Sequence, residues 1–246
     1  MVTSLRPHLR WVTYGGTAAS PALTLLVATK DGVLHALNAS PSDEGTLNGG
    51  REEFVFIPQE LLPILPDLAN NTGAHPYGLD GDISVWVNDA NGDHTIKGAG
   101  EHVYVYVGMR RGGNNYYALD VTKRDAPELK WVIKGGIAKT DFEHLGQSWS
   151  KPTLATIAIG ASTNKVLCFG GGYDTAPDAK PLEAGDTIGR AIFIVDAETG
   201  DRLWWAGPTA SGADLELATL TNSIPSDSRL FDSDYDGNKD RLYFGD

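Results

Sequence analysis

The chain has 246 residues, a formal net charge of −12 and a single cysteine. That length supports a sizeable core in one or two domains. No segment concentrates lysine or arginine, which argues against nucleic-acid binding, and one cysteine allows no intrachain disulfide. Hydrophobic residues at 41 % and charged residues at 21 % are ordinary for a globular protein. No run approaches the length of a transmembrane helix, and Met1 to Arg10 lacks the apolar stretch of a signal peptide. The chain breaks off at Tyr243-Phe-Gly-Asp246 as a strand begins, so the sequence reads as an internal piece of a longer protein.

Glycine-rich turns separating short apolar runs predict an all-β chain. Residues 1–22 are set apart as an N-terminal segment, and a domain is expected over 23–246. Its first unit has strands at Leu23–Thr29, Val33–Ala39 and Glu53–Ile57, with a turn at Lys30-Asp31-Gly32. Residues 58–81 form an insertion in which Pro63 and Pro66 keep any helix short. The second unit has strands at Asp82–Val87, His102–Gly108, Tyr116–Val121 and Leu129–Ile133. The third has Pro152–Ile159, Lys165–Gly170, Ala191–Ala197 and Arg202–Trp205, with a glycine-rich insertion over 171–189. Cys168 sits in an apolar run, where a buried structural thiol is expected.

These units repeat. One strand of each ends in apolar-apolar-Asp/Asn: Ala36-Leu37-Asn38, Ala118-Leu119-Asp120 and Ile194-Val195-Asp196. In the second and third, a Trp-bearing strand follows. Four antiparallel strands per unit, radially repeated, is the plan of a β-propeller blade; a β-sandwich of similar hairpins is the alternative. The run Val103 to Val107 is apolar on both faces, as a strand between neighbouring blades must be. Ser228–Phe231 and Arg241–Phe244 then open a fourth blade, for about three and a half in all. Both insertions are expected to decorate a rim.

The connection inside that last hairpin runs from Asp232 to Asp240. Carboxylates at Asp232, Asp234, Asp236 and Asp240 fall at loop positions 1, 3, 5 and 9, with Gly237 at 6. This matches the opening of an EF-hand loop, D-x-[DN]-x-[DN]-G. Alternate side chains converge on one point, Gly237 takes the sharp turn, and the carbonyl of Asn238 faces the same point. Position 12 is Tyr243 instead of the bidentate glutamate, and strands flank the loop instead of helices. An all-oxygen donor set points to Ca²⁺ over zinc or copper; an acidic turn without metal is the plain alternative. The second blade carries Asp89-Ala-Asn91-Gly92-Asp93 in the same connection, with glycine too early and no ninth-position acid. It reads as a turn, with a second metal a weaker option.

No catalytic constellation stands out, so no enzyme is expected. Gly146-Gln-Ser148-Trp-Ser150 lacks the final glycine of a nucleophile elbow, and Gly170-Gly171-Gly172 opens no helix that would cradle phosphate. His35, between Leu34 and Ala36, reads as a structural histidine, and Trp131, Trp204 and Trp205 as blade-packing residues.

The chain resembles the C-terminal propeller of the PilY/PilC family of type IV pilus tip-associated biogenesis proteins and adhesins. The matching stretches are Lys30–Ala39, Tyr117–Thr122, Leu145–Pro152, Phe169–Tyr173 and Phe231–Asp246. The resemblance implies a modified propeller and a regulatory calcium site at Asp232, Asp234, Asp236, Asn238 and Asp240. It also implies a place at the cell surface or outer membrane, and partners among pilins, minor pilins and host or abiotic surfaces. The role implied is in pilus extension and retraction, twitching and adhesion. The family's large N-terminal region and last blades are not in this chain. Two other readings remain: a quinone-dependent dehydrogenase propeller, whose metal is held by separated blades, and a scaffold propeller for outer-membrane assembly.

Overall fold

A computed structural model describes residues 9–16, 21–40, 49–70, 76–160, 162–179 and 185–245. The first sheet is a four-stranded antiparallel meander of β1 (Leu9–Gly16), β2 (Pro21–Ala28), β3 (Leu34–Asn38) and β4 (Glu52–Phe56). The second repeats it with β5 (Ile83–Asn88), β6 (His102–Gly108), β7 (Tyr116–Asp120) and β8 (Glu128–Ile133). The third has β9 (Thr153–Ile159), β10 (Ser162–Gly170), β11 (Ile192–Asp196) and β12 (Arg202–Gly207), to which the two-residue β13 (Leu215–Glu216) adds in parallel. A hairpin of β14 (Arg229–Phe231) and β15 (Arg241–Tyr243) opens a fourth.

Two expectations about boundaries change. The segment 1–22, set outside the repeat, contains β1, which pairs antiparallel with β2 and supplies the first sheet with its fourth strand. Its signal is weak because β1 buries little beyond Val12 and Tyr14. The insertions are also more embedded than rim decorations. In the first, a 3₁₀ turn at Gln59–Ile64 and a short α1 (Leu65–Asn70) put Leu61 into the core, and Leu79 follows it there. In the second, Gly172 bridges to Ile224, and the buried Asp174 carboxylate accepts from the amides of Ala176, Thr187 and Ile188. Residues 71–75 and 180–184 of these insertions lie outside the described set.

The sheets stack face to face, and the period-2 alternation of strand side chains divides each middle strand between two cores. Val103, Val105 and Val107 of β6 pack with Val12, Leu26 and Leu34 of the first sheet. Tyr104 and Tyr106, on the opposite face, pack with Leu167, Phe169 and Phe193 of the third. On β10, Val166 and Cys168 then point the other way, toward Leu230 and Leu242 of the fourth hairpin. Each such fully buried side chain contributes about 1.5–3 kcal/mol. Trp131 extends the same logic between sheets. It stacks on Tyr106, and its Nε1 donates to the Ala197 carbonyl in the turn after β11 (3.3 Å).

The recurring Asp/Asn has a local cause. Asn38 Oδ1 accepts from Ser40 N, Asp120 Oδ1 from Thr122 N, and Asp196 Oδ1 from both Glu198 N and Thr199 N. Each side chain closes the turn that leaves the third strand, the Asx-type bond these residues favour. A register shift recurs beside it, at Ala36/Leu37, Ala118/Leu119 and Ile194/Val195.

Where one sheet hands over to the next, backbones touch. Gly78 N donates to Lys30 O at 2.7 Å, and Gly146 N to Gly171 O at 2.7 Å. The Ser148 hydroxyl accepts from the amides of Met109 and Arg110. A Cβ on Gly78 would sit 2.3 Å from Gly32 Cα, and one on Gly172 would sit 2.1 Å from Gln147 O. The glycine run at Gly170–Gly172 is thus explained by close packing of backbones. Gly78→Ala or Gly172→Ala should therefore cost about 1–3 kcal/mol. Gly185→Ala, whose added Cβ meets only Thr221 O at 3.9 Å, should change stability by less than about 0.5 kcal/mol. Urea denaturation midpoints of the complete protein check both.

A half-buried ion pair ties the first two sheets together. Arg124 reaches from the turn after β7 to Glu53 Oε1 (2.5 Å) and the Leu23 carbonyl (2.8 Å), with its guanidinium carbon 5.3 Å from the Tyr14 ring centroid. Glu53 is 10 % exposed in its side chain, so losing the guanidinium leaves a poorly hydrated carboxylate. Arg124→Ala should cost about 2–4 kcal/mol. Lys134→Ala, which breaks an exposed pair with Glu60 at 3.3 Å, should cost about 0–1 kcal/mol. Thermal unfolding of the two variants side by side measures the difference.

Candidate metal centre

The loop between β14 and β15 brings Asp232, Asp234 and Asp236 together. Each offers a carboxylate oxygen, and these oxygens lie within 4.8 Å of one another. The backbone arranges this. Tyr235 takes a φ of 64° and Gly237 one of 95°, so the chain doubles back twice within a few residues and turns the alternate side chains to one side. Loop amides hold the carboxylates in place. Asp232 accepts from Asp236 N (3.2 Å) and Gly237 N (2.9 Å), and Asp236 Oδ1 accepts from Asn238 N (2.7 Å). The Asn238 side-chain amide donates to Asp236 Oδ2 at 3.2 Å.

Asp240 departs from the expected shell. Its carboxylate is taken by Ser233, whose amide donates to Oδ1 at 2.9 Å and whose hydroxyl donates to Oδ2. The Ser233 hydroxyl, together with its amide, holds the Asp240 carboxyl below the usual carboxylate range. The convergent group is therefore three carboxylates, with Asp240 bracing the loop from outside. Ser233 was not singled out in the sequence, because position 2 of such a loop normally points away. One further anchor was also invisible: Lys239 N donates to the Thr156 carbonyl of β9 at 2.8 Å, which fastens the loop to the third sheet.

The donor set fits a hard cation. Like charges about 4 Å apart cost on the order of 1 kcal/mol per pair in water and more beside protein, and backbone amides offset that only partly. A divalent ion between the oxygens reverses the sign. Carboxylate and carbonyl oxygens suit calcium or magnesium and offer nothing soft for zinc or copper. Asp232, Asp234 and Asp236 are the residues that would hold it, with the Asn238 carbonyl next in the loop. Cys168, in the apolar layer under this hairpin, is no ligand: burial pushes its thiol up to about 12.

The second-blade turn uses the same kind of bonding with fewer acids. Asp89 accepts from Gly92 N and His94 N, Asn91 Oδ1 from Asp93 N, and Asp93 Oδ1 from Thr95 N. Asp232, Asp234 and Asp236 also accept from loop amides, so the turns differ in acid count: Asn91 stands in the second-blade turn where the last hairpin has a third carboxylate. Among the described residues, Asp232, Asp234 and Asp236 form the convergent acidic group. Ser148 is 1 % exposed and committed to backbone contacts, and His35 Nδ1 lies 2.6 Å from Glu52 Oε1.

Three stacked antiparallel meanders and the hairpin of a fourth define an incomplete β-propeller, with an acidic loop in its last hairpin. A family model described as the PilY1 β-propeller domain matches residues 2–246, and the chain belongs to that family. Over 98 % of its length it is 29 % identical to the type IV pilus biogenesis factor PilY1 of Pseudomonas aeruginosa strain PAO1. Over 78 % of its length it is 27 % identical to a PilY1 homolog of Xylella fastidiosa. It spans 18 % and 14 % of those relatives. The crystal structure of the Pseudomonas aeruginosa PilY1 C-terminal domain matches at a TM-score of 0.58 and 26 % identity, covering 91 % of this chain and 36 % of that one.

Proposed function

We propose that the chain is a non-catalytic, calcium-binding propeller of a type IV pilus biogenesis protein, and that calcium occupancy regulates pilus extension, retraction and surface attachment. The observation that carries this is the convergence of Asp232, Asp234 and Asp236 within 4.8 Å in one hairpin loop, in a chain of the PilY1 propeller family. The contiguous ligand set also weighs against the quinone-dependent reading, in which separated blades hold the metal.

The fold suggests how occupancy would be transmitted. The loop joins β14 to β15, and Lys239 ties it to β9. Leu230 and Leu242 of the hairpin rest on Ala155, Ile157, Val166 and Cys168. Filling the loop fixes the strands it joins, and through Lys239 and these apolar contacts it biases how the fourth blade sits on the third. Pilins and minor pilins are the partners this reading assigns, at the cell surface. Among the described residues no helix is long and apolar enough to cross a membrane. Control of this kind needs an affinity near ambient calcium, on the order of 10⁻⁴–10⁻³ M for extracellular modules.

Calorimetry on the complete protein should show one calcium per loop, and Asp236→Ala should weaken it by at least about tenfold, the loss of one charged ligand. Equal calcium heats from both proteins would remove the metal site while leaving the family assignment intact. In a strain lacking its own copy, the wild-type gene should restore surface pili and twitching in a calcium-dependent way. The Asp236→Ala gene should lose that dependence. Equal rescue by both at every calcium level would disprove regulation.

A further inference from the structure

At the opposite end of the strands from the acidic loop, side chains from connections of the second and third sheets form a row of cations and rings. Tyr77 comes from the segment entering β5, Arg110 and Arg111 from the β6–β7 connection, and Trp149 from the segment entering β9. Tyr173 and Asp178 come from the β10–β11 connection. The Arg111 guanidinium lies 4.8 Å from the Tyr77 ring centroid and 5.4 Å from that of Trp149, and the Arg110 guanidinium 4.5 Å from Trp149. Trp149 and Tyr173 meet at 5.1 Å with their planes 37° apart. Between them opens a cavity of about 330 Å³, lined also by Gln147 and Thr175.

We propose that this cavity is a binding site for a neutral carbohydrate. Its volume lies at the small end of ligand pockets. Its lining mixes the rings of Tyr77, Trp149 and Tyr173 with the guanidinium of Arg111, the amide of Gln147, the hydroxyl of Thr175 and the carboxylate of Asp178. The charges decide the ligand's sign. One guanidinium, Arg111, and one carboxylate, Asp178, line the cavity. An anion would meet Asp178 in a protein of net charge −12, and a cation would meet Arg111 with Arg110 close behind. A polyol suits both groups, since one hydroxyl can donate to Asp178 while its neighbour accepts from Arg111.

The site is also held ready. Trp149 Nε1 donates to Gln147 Oε1 (3.0 Å), Gln147 Nε2 to the Arg111 carbonyl (3.2 Å), and Arg111 Nη1 to Tyr77 Oη (2.8 Å). The Tyr173 hydroxyl donates to Asp178 at 2.6 Å. Such bracing lowers the ordering cost of binding. A peptide added as a strand is disfavoured, because the backbone here is already paired: Gln147 and Tyr173 exchange both of their amide bonds at 2.9 Å.

The test uses the complete protein, titrated with glucose, mannose, galactose and N-acetylglucosamine, with glucuronate and glucosamine as charged counterparts. Saturation-transfer NMR and calorimetry read the binding. At least one neutral sugar should bind saturably, and more tightly than its charged counterpart. Asp178→Asn and Arg111→Gln should each weaken it about tenfold, one charge-assisted hydrogen bond, with unchanged melting temperature. Thr175→Val, on the same rim but outside the Tyr173–Asp178 bond, should weaken it even if Asp178→Asn disturbs folding. The proposal is overturned if no neutral sugar binds, if only the charged sugars bind, or if binding survives these substitutions.

Discussion

The structure depends on strands that have no solvent face. A strand covered on both sides must be apolar at every position, and it links two cores that would otherwise be independent. β6 is the strongest case: its valines belong to one core and its tyrosines to the next. Because the alternation is rigid, a slip of one residue would exchange valines for tyrosines on both faces at once. Both cores would then be wrongly filled, so register is specified more strongly here than in a sheet with one wet face. The same division continues through β10, where Val166 and Cys168 face the hairpin that carries the acidic loop. The loop is therefore positioned by packing three sheets away from the chain's first strand.

Face-to-face stacking brings a second constraint at the strand ends. The chain must leave one sheet and enter the next over a very short distance, so backbone meets backbone and side chains are excluded. Gly78 against Gly32, Gly112 against Gly78 and Gly172 against Gln147 show this. These junctions leave larger side chains only the outer surface, which is where Tyr77, Arg111, Trp149 and Tyr173 come together. The row of rings and guanidiniums is a consequence of the crowded backbone beneath it.

The two ends of the blades thus differ in kind. One end carries hairpin turns closed by Asp and Asn side chains, and in the fourth hairpin the same local chemistry grows into a group of convergent carboxylates. The other end carries interlocked connections from successive blades. A site made at the first end is local to one loop. A site made at the second needs several blades at once.

That difference explains what could be read in advance. The acidic loop was legible because its geometry is set by nine consecutive residues: spacing, a glycine and alternation suffice. The repeat was legible because each blade reuses one turn, Ala36-Leu37-Asn38 or its equivalents, for one local reason. The burial of β6 was legible from its composition alone. Other features were decided by contacts distant in sequence. β1 joins the first sheet through pairing with β2, although its own pattern buries little. Asp240 pairs with Ser233, and the loop is pinned through Lys239 to Thr156 of another sheet. The embedding of both insertions, and the meeting of Tyr77 with Arg111 and of Trp149 with Tyr173, follow from blade stacking. Local spacing encodes what one turn can build; what several blades build together exists only after long-range packing has chosen which ends touch.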